Sequence, residues 1–209
     1  MAASQLARLT EVMAVLRQEC PWDAEQTHRS LVTYLVEEAA EVVEAIEAGD
    51  DADLVEELGD LLLQVVFHAE IAATQGRFTI EDVARGIADK LVARHPYVFA
   101  DAAVPEDLTG SWEARKRAEK GRTSALEGIP GPLDTLARAT KVIARSRSHG
   151  VPLDLPEEPF EASAVGEQVL SLVARAQASG VDADQAVRDA VRALEARVRA
   201  AEEAARTQP

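Results

Sequence analysis

The amino-acid sequence predicts an all-α protein, and three observations carry that prediction. Ala, Leu, Val, Glu and Arg dominate a chain that is 47% hydrophobic yet only 4% aromatic, a composition that favours helix. Apolar residues recur at helical spacing through long stretches bounded by caps, Gly and Pro. No stretch shows a convincing period-2 alternation of the kind a half-buried strand requires.

The elements follow in order. Residues 4–19 read as a helix that stops at "CPWDAEQ". Residues 28–48 form a strong helix, and "AGDD" (48–51) is a turn in which Asp51 or Asp53 serves as N-cap. Residues 53–75 make a second long helix, ended by Gly76. Thr79 caps a third, with Glu81 and Asp82 in its first turn, running to about His95 before Pro96. "YVFADAAVPEDLTGS" is a loop and "WEARKRAEK" a short basic helix. After the Pro/Gly-rich "GIPGPL" (128–133), helical pattern resumes at 133–149 and 162–205, around "GVPLDLPEEP". The chain therefore reads as a main domain over 1–127, a linker with a connecting helix over 128–161, and a C-terminal helical segment over 162–209.

The 209 residues carry a formal net charge of −15. That argues against a general nucleic-acid binder, because phosphate backbones need Lys and Arg. The single Cys20 cannot form an internal disulfide, which points to a reducing compartment. The first residues alternate apolar and charged, unlike a signal peptide, and no segment approaches the ~18–20 apolar residues of a membrane span. A soluble, cytoplasmic protein is expected.

A weak internal repeat is also visible. Residues 58–94 resemble 165–197: Gly59 matches Gly166, Asp60 matches Glu167, Leu91 matches Leu194 and Arg94 matches Arg197. The later copy has Ala164 in place of Glu57 and Ala193 in place of Lys90, and no acid-rich helix precedes it. It reads as a copy that kept its packing and lost its charges.

The acids concentrate elsewhere. Between Arg29 and Arg77 there is no Lys or Arg, while Glu37, Glu38, Glu41, Glu57 and Asp60 stand among many carboxylates. An ordinary surface helix mixes signs, because like charges at i,i+4 cost a few tenths of a kcal/mol. Glu41 and Glu57 are each eight residues from Gly49, and Glu38 and Asp60 each eleven. An antiparallel hairpin across that glycine would bring the two i,i+3 pairs to the same height. Four converging carboxylates are unfavourable without a cation, and oxygen ligands with no Cys or His select Mg²⁺, Mn²⁺ or Ca²⁺. The plainer alternative is a solvated acidic face. On the first helix Val36, Ala39, Val43 and Ile46 form the apolar stripe with Glu41 nearly opposite. The second helix is apolar almost all round, which predicts burial and places Glu57 and Asp60 where unpaired charge is expensive. The acidic side of the first helix then needs a second partner, such as another subunit.

The arrangement EExxE, a spacer, then ExxD resembles the signature of the MazG-like nucleoside triphosphate pyrophosphohydrolases. So do "CPWDAEQTHRSL" (20–31), "VEELGDLLLQVVFHAEIA" (55–72), "KLVARHPYVF" (90–99), "WEARKRAEK" (112–120) and "LEGIPGPLDTLARATKV" (126–142). The resemblance covers nearly the whole chain. It implies a MazG-like helical bundle with a metal-binding antiparallel hairpin, a catalytic domain over 1–127, and a degenerate MazG-like segment over 162–209 in which the acidic helix is replaced by "GVPLDLPEEPF". It implies hydrolysis of a nucleoside triphosphate to monophosphate and diphosphate with Mg²⁺, or Mn²⁺ as a substitute, in a homodimer with a housecleaning or regulatory role.

By that similarity Glu38, Glu41, Glu57 and Asp60 are the metal ligands. Glu37 is a further ligand or a base that orients water. Lys90 and Arg94, at i,i+4 on the third helix, project toward triphosphate, and Trp112 and Lys116 match a family Trp-xxx-Lys pair near the nucleotide. Each has a plainer reading. Lys90 and Arg94 suit a helix C-terminus electrostatically, and Trp112 can simply cover core. His68 reads as a hydrogen-bonded core residue. Glu25 and His28 do not make a di-iron motif, because only one such pair exists. The rival to an enzyme is a non-catalytic helical regulator that keeps the hairpin for dimerisation.

Overall fold

A computed structural model describes residues 4–207, and among them all regular structure is helical. The chain divides into two compact units, Met1–Asp101 and Ala102–Pro209.

In the first unit α1 (Gln5–Glu19) is followed by a short α2 (Pro21–Glu25), then α3 (Val32–Ala48), α4 (Asp51–Thr74), α5 (Ile80–Arg94) and the single-turn α6 (Pro96–Phe99). α3 and α4 form the expected antiparallel hairpin. Gly49 closes α3 in the left-handed region at φ 76°, a conformation that costs other residues a Cβ clash. The N-cap of α4 is Asp50, not Asp51 or Asp53: its carboxylate accepts from the amides of Ala52 at 2.8 Å and Asp53 at 3.4 Å. One more residue in the helix lets the chain turn on Gly49 alone. α5 starts as the sequence predicts, with a reciprocal capping box between Thr79 and Asp82. Those hydrogen bonds from Thr79 hold the Asp82 carboxyl below its usual range.

The core of this unit is Met13, Leu31, Val66, Phe67 and Ile71, with Leu9, Leu62, Leu63 and Ile80 packed around it. It joins α1 to the far end of the hairpin. The "CPWDAEQ" segment, expected as an irregular stop, contains α2 and is tied down. Arg17 donates to the carbonyls of Asp23 and Gln26, its guanidinium lies 5.9 Å from the Phe67 ring centroid, and Trp22 sets its edge against Tyr34 and Phe67.

The predicted apolar stripe of α3 is corrected by the structure. Val36, Val43 and Ile46 are 65%, 52% and 60% exposed, whereas Val42 and Ala45 are buried. The face turned to α4 runs through Leu35, Glu38, Val42 and Ala45, at i,i+3 and i,i+4 steps. α4 is likewise not enclosed all round, since Val55, Leu58 and Val65 are exposed. Of the acids on α3, Glu38 turns toward α4, while Glu37, Glu41 and Glu44 stay exposed, as do Val36, Val43 and Ile46.

The second unit contains α7 (Leu108–Lys120), α8 (Thr135–Ser148), α9 (Ala162–Ala178) and α10 (Ala183–Thr207). Its core is Ala125, Val142, Val191 and Val198. Packing therefore divides the chain at 101/102, ahead of the boundary at 127 read from the sequence. The connecting helix expected within 128–161 is α8, whose Val142 is fully buried against α10. The expected helical pair of 162–205 is present, broken at Gly180 (φ 69°). Its turn has the same hydrogen-bond pattern as the one after α4. Arg77 N donates to Ala72 O at 3.0 Å after Gly76, and Val181 N donates to Ala176 O at 2.9 Å after Gly180. The two helices differ in their packing. α10 buries Val191 and Val198, while α9 buries none of its residues.

Candidate metal and nucleotide site

The hairpin geometry brings the acids together. Glu38 and Glu41 rise from α3, and Glu57 from α4, with one carboxylate oxygen of each within 4.8 Å of the others. Asp60 is not one of the three, but its charge acts on both Glu38 and Glu57. Glu38, Glu57 and Asp60 are half-buried, and Glu37 and Glu41 exposed.

The electrostatics are those of like charges held close. Desolvation, then Asp60, then Glu41 push the Glu38 carboxyl above its ordinary value, and a side-chain hydrogen bond between Glu38 and Glu41 adds to the shift. Desolvation, then Glu41, then Asp60 do the same to Glu57. The charges acting on these two groups are all acids. A cluster of this kind either takes up protons or takes up a cation. Its donors are hard oxygens only, a set that fits Mg²⁺ or Mn²⁺ and not a thiophilic metal.

The other expected residues are placed as follows. Lys90 is half-buried and Arg94 is 6% exposed on α5, which packs against α4. Trp112 and Lys116 lie on α7 in the second unit, both half-buried, and Lys116 pairs with Glu113 at 3.3 Å. The structure therefore brings Glu38, Glu41 and Glu57 together, leaves Glu37 and Asp60 outside that triad, and has Lys90, Arg94, Trp112 and Lys116 on other elements.

Two features escaped the sequence reading. Gln64 stands one turn beyond Asp60 on the same stripe of α4, 5% exposed, and its Oε1 is a buried acceptor without a hydrogen-bond partner. The only signal was a polar residue inside the apolar run "LLLQVVF". The second is a contact between His28 and His68. Their separation in sequence hides it, although His68 does prove to be hydrogen-bonded.

An all-α chain whose chemistry-bearing feature is an oxygen-only carboxylate cluster inside an antiparallel helix hairpin defines a narrow class of protein. The chain belongs to the MazG family. Residues 26–99 match the MazG nucleotide pyrophosphohydrolase domain. An uncharacterized 26.1 kDa protein from the blaB 3' region of Streptomyces cacaoi is 46% identical over 204 residues, covering 95% of this chain and 83% of the relative. The nucleoside triphosphate pyrophosphohydrolase of Escherichia coli is 44% identical over 155 residues, covering 70% of this chain and 59% of the relative. The protein of the same name from Mycobacterium tuberculosis is 41% identical over 203 residues, covering 94% and 59%. This chain thus spans about three fifths of those two relatives. A solved mazG-related protein from Thermotoga maritima, 28% identical, aligns with a TM-score of 0.47 over 53% of this chain and 98% of its own.

Proposed function

We propose that this chain hydrolyses nucleoside triphosphates to the monophosphate and diphosphate at the hairpin, with Mg²⁺ as the natural cation and Mn²⁺ as a substitute. The observation that carries the reading is the convergence of Glu38, Glu41 and Glu57 within 4.8 Å, under the influence of Asp60. The names of the relatives agree with it.

In this reading Glu38, Glu41, Glu57 and Asp60 hold the cation. When bound, it supplies positive charge to the phosphate oxygens and acidifies a water. Glu37, exposed beside the cluster, orients the attacking water or adds a further ligand. Lys90 and Arg94 take the triphosphate oxygens as charge-assisted donors. The site works in the cytoplasm in nucleotide-pool housecleaning or regulation.

The active form in this reading is a homodimer, and the exposed Val36, Val43 and Ile46 on α3 are the surface it covers. That is a different side of the helix from the one the sequence indicated. The same open face is what favours a second reading, a non-catalytic dimerisation module. The discriminating experiment is diphosphate release from a panel of ribo- and deoxyribonucleoside triphosphates, with and without Mg²⁺. Release that depends on Mg²⁺ and disappears in Glu41→Gln and Asp60→Asn supports the enzyme. No release from any triphosphate, with dimers intact, would leave the module.

A further inference from the structure

His28 and His68 come from segments forty residues apart and meet with their Nδ1 atoms at 2.8 Å. The rings are parallel to within 12° and their centroids 5.1 Å apart. With the nitrogens so much closer than the centroids, the rings lie side by side, proton against lone pair, and not face over face. On the far edge of His28, the Arg77 guanidinium reaches Nε2.

This chain admits one proton assignment. A guanidinium only donates, so Nε2 of His28 carries the lone pair. Neutral His28 then holds its proton on Nδ1 and donates it to Nδ1 of His68. The proton of His68 is therefore on Nε2. A second proton on either ring breaks the chain. On His28 it would set an N–H against the guanidinium; on His68 it would set two Nδ1–H groups against each other.

The three residues sit in the segment before α3, in α4, and in the turn before α5. The hairpin is closed by Gly49 at one end and by this bridge toward the other, and the acids lie between the two. We propose that Arg77, His28 and His68 form a positioning clamp that fixes the register of α3 on α4, that it holds only while both imidazoles are neutral, and that it makes the acidic site acid-sensitive.

The surroundings support neutrality. A cation, Arg77, meets the pair at Nε2 of His28. The charge acting on His68 is His28. Burial, then His28, hold the His68 imidazole below its ordinary value. A depressed folded-state value means the unfolded chain binds the proton more readily. The clamp therefore contributes fully above the unfolded histidine pKa of about 6.5, and the contribution is lost as pH falls below it.

The tests use the full chain. Long-range ¹H–¹⁵N spectra at pH 8 should show the Nδ1–H tautomer for His28 and Nε2–H for His68, and His68 should titrate below an unstructured histidine. An Nε2–H tautomer at His28, or ordinary titration of His68, overturns the clamp. Its coupling to the site rests on the hydrolase reading above. His68→Asn places an amide oxygen where Nδ1 accepts but cannot be protonated. His68→Leu should lower kcat/KM at pH 7.5 by about tenfold or more, chiefly through kcat, as expected for a displaced catalytic group. His68→Asn should recover most of that and retain more of its activity than wild type on going from pH 7.5 to pH 5.5. Equal loss in Asn and wild type overturns the coupling. Absence of hydrolysis in every form refutes the hydrolase reading instead, while the spectra still decide the clamp.

Discussion

Replacing Glu38 by Gln should make the metal-free protein more stable and the metal-treated protein less so. Glu38 and Glu41 present oxygens within 4.8 Å. At that distance two unit charges repel by about 0.9 kcal/mol in a fully aqueous dielectric, and salt near the physiological level removes roughly half of it. The aqueous value is a lower limit, because Glu38 is half-buried in the seam. With Asp60 also acting on it, Glu38→Gln should stabilise the chelator-treated protein by about 0.5–1 kcal/mol. That is a rise in melting temperature of about 1–4 °C for a chain of this size. The pH dependence has a definite sign. A carboxyl whose folded value is raised costs stability when ionised, so the wild-type penalty is full above the folded value and vanishes as pH falls through 4.5, the ordinary value. Mn²⁺ or Mg²⁺ at a hundred times its Kd should stabilise wild type by about 2.7 kcal/mol. In the variant most of that should be missing. Calorimetry with chelator and with excess metal checks both halves. A variant that melts lower without metal, or keeps the full metal-induced shift, would refute the assignment of this cluster to a cation.

Three further outcomes are expected. Lys90→Ala and Arg94→Ala should each lower kcat/KM by an amount equivalent to about 2–4 kcal/mol while leaving metal-induced stabilisation in place; normal kinetics in both would assign them to fold alone. In the second unit, Glu195 is buried and takes Arg138 at 2.7 Å and Arg199 at 3.4 Å, so Glu195→Ala should destabilise that unit by about 2–4 kcal/mol, read by calorimetry with the metal response of the hairpin unchanged. Truncation after residue 101 should leave a folded fragment that still responds to Mn²⁺, whereas truncation after 150 should leave 102–150 unfolded by circular dichroism, because Val142 loses Val191 and Val198.

The hairpin was legible because one glycine and two i,i+3 acid pairs set its register arithmetically. Equal spacing from Gly49 placed Glu38 with Asp60 and Glu41 with Glu57 before any packing was known. The side of α3 that packs was not legible, and the reason is physical. Hydrophobic periodicity reports which face prefers an apolar neighbour, not whether that neighbour belongs to the same chain. Val36, Val43 and Ile46 outscore the mixed stripe through Glu38, Val42 and Ala45, yet the latter meets α4. A chain that puts carboxylates into its own interhelical seam and leaves valines in solvent is spending fold stability within one unit. Two later gains would offset that cost: a cation in the seam and a covering surface on the valines. If both are needed together, the cation should strengthen self-association, because each stabilises the same α3. Sedimentation with and without Mn²⁺ measures that linkage. Self-association unchanged by metal would mean that the two faces of α3 act independently.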